Sequence, residues 1–342
     1  MDENGVQRWG VLKEKWRFYQ PLFWCEVSNY LVECLVFIHI YILAAWLTIR
    51  EGLFDSGEMI QEIKLELFSS RLWTQKSTKP RRILIVGADG TIGSEIVQMI
   101  LENSDFECHV VVHHANSTEH SWESDSRMTV YELDLVDKSQ ILLVADRLKS
   151  LHFDVAIFAA GTMLHPEHRT PDGVEMHNAV NVIGQLMLYE LLQHECQRAV
   201  FLSSACSKMA VFSMDQDFLG VYAGPYQAYS SSKLNLAVYV KEMAQRRHVS
   251  CVSLHPGTVP GRLYRHANPL VRLLNATWLP RILRRPEMAA ALVLHTVFRD
   301  DLEIGEYYED TKVVPVTEWV PQEHRNHIYE TIRRRIEIWM EA

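Results

Sequence analysis

The sequence predicts an α/β fold, a doubly wound parallel sheet, with a helical extension at its N-terminus. Three observations carry this reading. From residue 82 onward, short β-rich apolar runs alternate with helical patterns. The first of these runs leads into a glycine-punctuated turn that opens a helix. Ahead of both, residues 31–49 form an apolar stretch unlike the rest of the chain.

A chain of 342 residues can bury a sizeable core, as one large domain or two smaller ones. Its 48% hydrophobic and 23% charged residues are those of a folded globular protein. The net charge of −9 argues against nucleic acid as a partner. Six cysteines, at 25, 34, 108, 196, 206 and 251, form no CxxC, which predicts thiols and not a disulfide framework. The sixteen histidines include no HExxH; His113–His114 is the one adjacent pair, and no metal site is expected. Internal repeats and low-complexity tracts are absent from the sequence.

The stretch 31–49, "LVECLVFIHIYILAAWLTI", carries Glu33 and His39 as its strongly polar groups. Its nineteen residues make a helix of about 28 Å, just enough for a hydrocarbon core of about 30 Å. Trp24 and Trp46 stand where interface anchors are found. Glu33 keeps open a second reading, a buried or surface-lying helix. The apolar run starts late and no clear cleavage site follows, which argues against a signal peptide. Residues 56–75 place Met59, Ile60, Ile63, Leu67 and Phe68 on one helical face. The polar "KSTKPRR" then marks a boundary. The expected organisation is a membrane-anchoring helical segment with linker over 1–80, the sheet domain over 81–316 and an amphipathic helix over 317–342.

Within the sheet domain the predicted order is "RILIVGA", a helix from about 92, "CHVVVHH", "MTVYELDL", a helix over 138–150, "DVAIFAAG", a helix over 173–194, "RAVFLSS", a helix from about 226, and "VSCVSLHPG". Such alternation implies a parallel sheet with helices on both faces. Gly87, Gly90 and Gly93 fall between the first strand and its helix. Glycines there allow a tight turn and close backbone approach to a pyrophosphate, and the helix start offers N–H groups and a positive dipole end.

Tyr229 and Lys233 lie four residues apart in "PYQAYSSSKLNLAVYV", at the start of a helix-like run. With 13 tyrosines and 11 lysines, about 0.4 such pairs arise by chance, and Tyr308–Lys312 is a second one. The spacing alone decides nothing.

The surrounding landmarks do. Residues from about 80 to 315 resemble the short-chain dehydrogenase/reductases, in their retinol-dehydrogenase-like branch and its polyprenol- and dolichol-linked side. The three glycines match the cofactor turn, and Asp134 in "LDL" the adenine contact. "AAGT" at 159–162 matches the family's Asn-Asn-Ala-Gly strand end, and Asn181 its helix asparagine. Ser204 in "RAVFLSSACS", Tyr229 and Lys233 match the catalytic serine, tyrosine and lysine. "LHPGTV" at 254–259 matches the Pro-Gly loop over the nicotinamide, and "GEYYED" at 305–310 the closing strand. The resemblance thus implies a Rossmann-type fold, with Asn181, Ser204, Tyr229 and Lys233 catalytic. It implies cofactor contacts at Gly87, Gly90, Thr91, Ile92, Gly93, His113, Asp134, Leu135, Ala160, Gly161, Pro256, Gly257 and Val259, shared with Tyr229 and Lys233. On this reading Tyr308–Lys312 is the coincidence.

The implied chemistry moves a hydride between a carbinol carbon and the nicotinamide while a proton moves at oxygen. A phenol with a pKa near 10 needs help at neutral pH, and Lys233 one turn away is expected to lower it. Four departures from the family pattern stand out: Val86 for threonine, Thr91 for glycine, Phe158 and Ala159 for the two asparagines, and Gly261 where a serine or threonine is usual. After the second strand no acid occurs until Glu119, so NADP(H) is favoured and NAD(H) is the alternative. The insertion 263–286 is rich in Leu, Val, Ile and Trp and carries Arg272, Arg281, Arg284 and Arg285. It reads either as an ordinary packed helix pair or as an apolar cover with its arginines on lipid headgroups. The C-terminal "HIYETIRRRIEIWM" has a similar basic-amphipathic pattern.

The expectation is a membrane-associated oxidoreductase acting on a hydrophobic or lipid alcohol or carbonyl. Its location is expected to be the endoplasmic reticulum or lipid droplets, and a homodimer is compatible with the sequence. The alternatives are a nucleotide-sugar-type extended enzyme, suggested by the glycine spacing, and a cofactor-binding module with little turnover.

Overall fold

The strand sequences Arg82–Val86, Val155–Phe158 and Ala199–Leu202 are apolar almost without interruption. Strands of that kind need cover on both faces. The computed structural model describes residues 26–55, 57–78, 80–113, 124–210 and 218–341, and shows that cover. Readings that rest on the basic residues 8–17, Trp24, His114 or Glu119 lie outside the described residues, as does the side chain of Glu33.

The sheet contains β1 (Arg82–Val86), β2 (Glu107–Val112), β3 (Met128–Glu132), β4 (Val155–Phe158), β5 (Ala199–Leu202), β6 (Cys251–His255), β7 (Tyr307–Glu309) and β8 (Lys312–Val313). Their spatial order is β3-β2-β1-β4-β5-β6-β7-β8. All neighbours are parallel except β8, which pairs antiparallel with β7. The winding reverses between β1 and β4, and a crevice opens outside the carboxyl ends of strands at such a switch point. Tyr308 and Lys312 fall in the β7–β8 hairpin, where the Tyr308 hydroxyl accepts from the Glu303 amide at 2.9 Å.

Side chains alternate between two buried layers. Leu84, Val86, Phe158 and Phe201 face one layer. It is closed by α4 (Lys138–Leu148), α5 (176–192), α6 (Pro225–Arg247) and α9 (Gln322–Glu341). Ile83, Ile85, Ile157, Val200 and Leu202 face the other, under α2 (Gly57–Ser69), α3 (Thr91–Asn103) and α8 (Pro286–Phe298). The apolar face predicted for 56–75 is therefore used inside the protein: Ile60, Ile63 and Leu67 are buried, with Met59 and Phe68 packed beside them. The apolar face of α9 is used likewise through Ile328, Tyr329, Ile332, Ile336 and Trp339, and its basic residues lie outside that face. That corrects the membrane-facing reading of the C-terminal pattern.

The segment 31–49 lies on α1 (Glu26–Phe54), a helix of 29 residues. Among the described residues no helix is long and apolar enough to cross a membrane. What is described is a two-faced helix end. Leu47 and Glu51, one turn apart, point inward and are buried. Ile38, Ile42, Trp46, Ile49 and Leu53 recur every three or four residues on the outside and are exposed. A further exposed apolar row, Leu270, Leu273, Leu274 and Trp278, lies on and just after α7 (Pro269–Thr277), which buries none of its residues.

Ile63 is 1% exposed and Leu65, two residues on, is 70% exposed. Ile63→Ala is expected to cost about 2–5 kcal/mol in chemical denaturation, and Leu65→Ala within about 0.5 kcal/mol of zero. Equal small effects would detach α2 from the core.

Candidate active site

The cleft sits at this switch point and has a volume of about 810 Å³. That is the size of a site enclosing a drug-sized ligand. It is lined by Gly87, Gly90, Thr91, Ile92 and Gly93 from the β1–α3 turn, His113 after β2, and Asp134 and Leu135 after β3. Ala160 and Gly161 follow β4, Ser204 follows β5, Tyr229 and Lys233 come from α6, and Pro256, Gly257 and Val259 follow β6. Asn181 is the one residue of the expected site that does not line it.

The glycine turn is demanded by the fold itself. Gly87 has φ +88°, and a Cβ there would lie 2.5 Å from the Ala160 amide nitrogen. A Cβ on Gly93 would lie 2.2 Å from the Gly87 carbonyl oxygen. The start of α3 is thus pressed onto the end of β1, and β1 onto the end of β4. Gly90, the N-cap of α3, makes no side-chain cap bond, so the first amides of the helix face the cleft without a competing side chain. These features fit a pyrophosphate.

Tyr229 and Ser203–Ser204 form the reactive end. The Tyr229 phenol is buried, and burial pushes its pKa well up, against the pull of the Ser204 hydroxyl. Ser204 Oγ accepts from the Cys206 amide at 3.2 Å, which leaves its proton for a partner in the cleft. Lys233 Nζ lies 5.9 Å from the Tyr229 ring centroid and donates to the Leu202 carbonyl at 2.7 Å. Burial lowers the Lys233 pKa to about 7. The expected lowering of the phenol by a lysine ammonium therefore does not appear in this state. Desolvation dominates at both groups and favours the neutral forms.

Asn181 stands behind this pair. It lies in a π-helical turn of α5, Ala179–Gly184, a distortion often seen at functional sites. Its Oδ1 accepts from the Thr162 amide at 2.8 Å, and its Nδ2 donates to the Thr162 carbonyl at 3.0 Å and to Ser232 Oγ at 3.0 Å. The side chain thus fixes the strand end beside Gly161. A Cβ on Gly161 would lie 3.3 Å from Asn181 Oδ1 and 3.5 Å from Lys233 Nζ.

Around the phenol the cleft turns apolar. Tyr229 packs with Met163, Leu164 and Ala267, with Tyr226, Leu263 and Tyr264 beside them. One buried polar pair backs it. His177 Nδ1 donates to Glu175 Oε1 at 2.8 Å while His177 Nε2 accepts from the His165 amide at 3.2 Å. The His177 ring centroid is 6.4 Å from that of Tyr229.

The departures at Phe158, Thr91 and Gly261 have local reasons. Phe158 stacks on Phe201 at 4.5 Å in the buried layer, replacing a polar strand end by core. Thr91 and Gly261 are complementary, since a Cβ on Gly261 would lie 2.1 Å from Thr91 Oγ1. A serine or threonine at 261 would collide with the threonine at 91. Thr91 Oγ1 instead accepts from the Arg262 amide at 3.2 Å, and Arg262 Nη1 donates to the Asp89 carbonyl at 2.7 Å.

Several site residues gave no signal in the sequence. Asp89 accepts from the His113 amide at 3.3 Å, so an acid reaches the end of β2 from the glycine turn. Arg284, read as a headgroup arginine, is buried against the Pro-Gly loop, with its side chain fully covered. It pairs with Asp55 and Asp310 at 2.8 Å. The pairing with Asp55, over 229 residues, leaves no trace in local periodicity.

The low pKa of Lys233 has a consequence for stability. The unfolded chain holds this proton up to about pH 10.5, while the folded protein releases it near pH 7. Between these values the unfolded state binds more protons, so stability rises with pH. Urea melts of the cofactor-free protein between pH 7 and 8, below the range in which the buried cysteines begin to titrate in the unfolded chain, are expected to show this rise, and Lys233→Met to flatten it. An unchanged slope in the variant would mean that Lys233 keeps its charge in the fold.

Comparison with known proteins agrees with this geometry. The model of the NAD dependent epimerase/dehydratase family matches residues 83–295. Human retinol dehydrogenase 11 is 29% identical over 293 residues, covering 79% of this chain and 88% of that protein. Human polyprenol dehydrogenase is 28% identical over 192 residues, covering 50% and 58%. A crystal structure of a putative uncharacterized protein from Mycobacterium paratuberculosis superposes with a TM-score of 0.61 at 20% identity, covering 78% of this chain and 97% of that one. The last likeness bears on the fold alone. With the cleft, the glycine turn and these relatives together, the chain belongs to the short-chain dehydrogenase/reductase family and is an oxidoreductase dependent on a nicotinamide cofactor.

Proposed function

We propose that the protein interconverts a hydrophobic alcohol of retinoid or polyprenoid type and its carbonyl at a membrane surface of the endoplasmic reticulum. The observation that carries this is the composition of the cleft. Ser204, Tyr229 and Lys233 share one cavity with the glycine turn, and the phenol stands inside an apolar cluster. The names of the relatives support the substrate class.

The bound nicotinamide supplies the hydride acceptor or donor. Tyr229 gives or takes the proton at the substrate oxygen, and the Ser204 hydroxyl holds that oxygen by a hydrogen bond. With the cofactor bound, Lys233 would relay the proton to or from Tyr229 and hold the cofactor ribose. Asn181 is a positioning residue that fixes the strand end at Thr162. NADP(H) remains favoured, because β2 itself ends without an acid. Asp89 at the His113 amide works in the opposite direction and favours NAD(H).

Two exposed apolar rows support membrane attachment, one on α1 (Ile42, Trp46, Ile49, Leu53) and one at α7 (Leu270, Leu273, Trp278). Such outer apolar rows suit helices that lie in a membrane interface. The nucleotide-sugar reading draws on the name of the matching family model, but the apolar cluster at Tyr229 offers a sugar hydroxyl few partners.

Turnover of retinoid and polyprenoid alcohols and carbonyls with NADPH and NADH tests the proposal. Tyr229→Phe is expected to cut kcat by about 10²-fold or more while leaving cofactor affinity near wild type. Tyr308→Phe is expected to keep full activity. Equal damage from both substitutions, or no turnover of any lipid by the wild type, would contradict it.

A further inference from the structure

One wall of the cleft is the end of β6 and the segment after it, with His255, Pro256, Gly257 and Val259 lining it. The sheet does not hold this segment by itself. Glu51, from the inner face of α1, is 1% exposed. Its Oε2 accepts from the Thr258 amide at 2.7 Å. Its Oε1 meets His255 Nε2 at 3.1 Å and Thr258 Oγ1 at 3.3 Å.

One helical turn later Asp55 holds Arg284, accepting from its Nε at 2.9 Å. Arg284 in turn donates through Nη1 to the Pro256 carbonyl at 3.2 Å, and its amide donates to the Thr258 carbonyl at 3.0 Å. Gly257 has φ +103°, and a Cβ there would lie 2.3 Å from Arg284 Cδ. The Arg284 side chain rests directly on the glycine. Three polar backbone groups of 256–258 are therefore bonded either to α1 or to an arginine that α1 holds.

Burial alone would push the Glu51 carboxyl up. His255, Arg284 and the Thr258 amide more than reverse this and hold it at about 2, so the group is ionised at neutral pH. An ionised carboxylate accepting a backbone amide is a strong, directional restraint.

We infer that α1 is a positioning element of the cleft: Glu51, through Thr258 and His255, sets the wall against which a nicotinamide dinucleotide binds. The dinucleotide part of this inference rests on the function proposed above. The clamp itself does not. On this account α1 is no detachable anchor, because the helix that carries the outer apolar row also shapes the site.

The test uses the full chain in detergent or vesicles, with Glu51→Ala, Glu51→Gln and, as a control, Lys64→Ala. Lys64 pairs with Glu287 on a partly exposed surface away from the cleft. Two readouts are taken: hydrogen–deuterium exchange of peptides covering 256–259, and NADPH and NADH affinity by fluorescence quenching. Glu51→Ala is expected to deprotect the Thr258 amide and to weaken dinucleotide binding by about tenfold or more. Glu51→Gln keeps an acceptor for that amide and is expected to recover most of both. Peptides from β1 and β5 stay protected throughout, and Lys64→Ala behaves as wild type.

Unchanged exchange at 256–259 in Glu51→Ala overturns the inference. So does lost protection there with unaltered affinity, or deprotection that spreads through β1 and β5, which would make Glu51 a general support of the fold. A wild-type protein that binds neither dinucleotide sinks the proposed function instead, and the exchange data still decide the clamp.

Discussion

No methyl group fits between the start of α3 and the end of β1. Gly93 lies against the Gly87 carbonyl, and Gly87 against Ala160 at the end of β4. The two central strands and α3 are thereby locked at one corner, the corner where the winding of the sheet reverses. Everything the cleft offers is measured from there. The uncapped amides of α3 open into it. Thr91 reaches across to Gly261, so the far wall closes at a distance set by one side chain meeting a glycine. A side chain at either glycine of the turn would alter the fold before it touched a ligand.

The cleft has two chemically different ends. The glycine end presents backbone groups and suits an anion. The other end presents a phenol among Met163, Leu164 and Ala267. There desolvation outweighs every charge the protein supplies, raising Tyr229 and lowering Lys233 toward neutrality. In this state the phenol therefore keeps its proton. The polar atoms around it are fixed by geometry: Lys233 on the Leu202 carbonyl, and Asn181 on both backbone groups of Thr162.

Local pattern made the sheet legible. Uninterrupted apolar runs predicted strands buried on both faces, and they alternate between the two layers as a period of two requires. The glycine turn was legible as a short-range spacing with a physical purpose, whereas the Tyr229–Lys233 spacing decided nothing alone and was read through the landmarks around it. Three things were not. The apolar faces of α2 and α9 look the same in sequence whether they meet lipid or core. Glu51 meets His255 across 204 residues and Thr258 across 207. Arg284, one arginine in a greasy segment, proved to be the filling behind Gly257. The dryness around Lys233 carries no local signal either, because helical spacing predicts proximity but says nothing of burial.

The central claim is hydride transfer between the cofactor and a hydrophobic carbonyl at Tyr229. Turnover with NADPH or NADH carrying deuterium at the reactive nicotinamide position tests it most directly. The account predicts that one deuterium appears on the carbinol carbon of the alcohol product, in step with loss of reduced cofactor. Product without the label, or substrate altered in stereochemistry with no net cofactor consumption, would contradict it and point to the epimerase chemistry of the wider family.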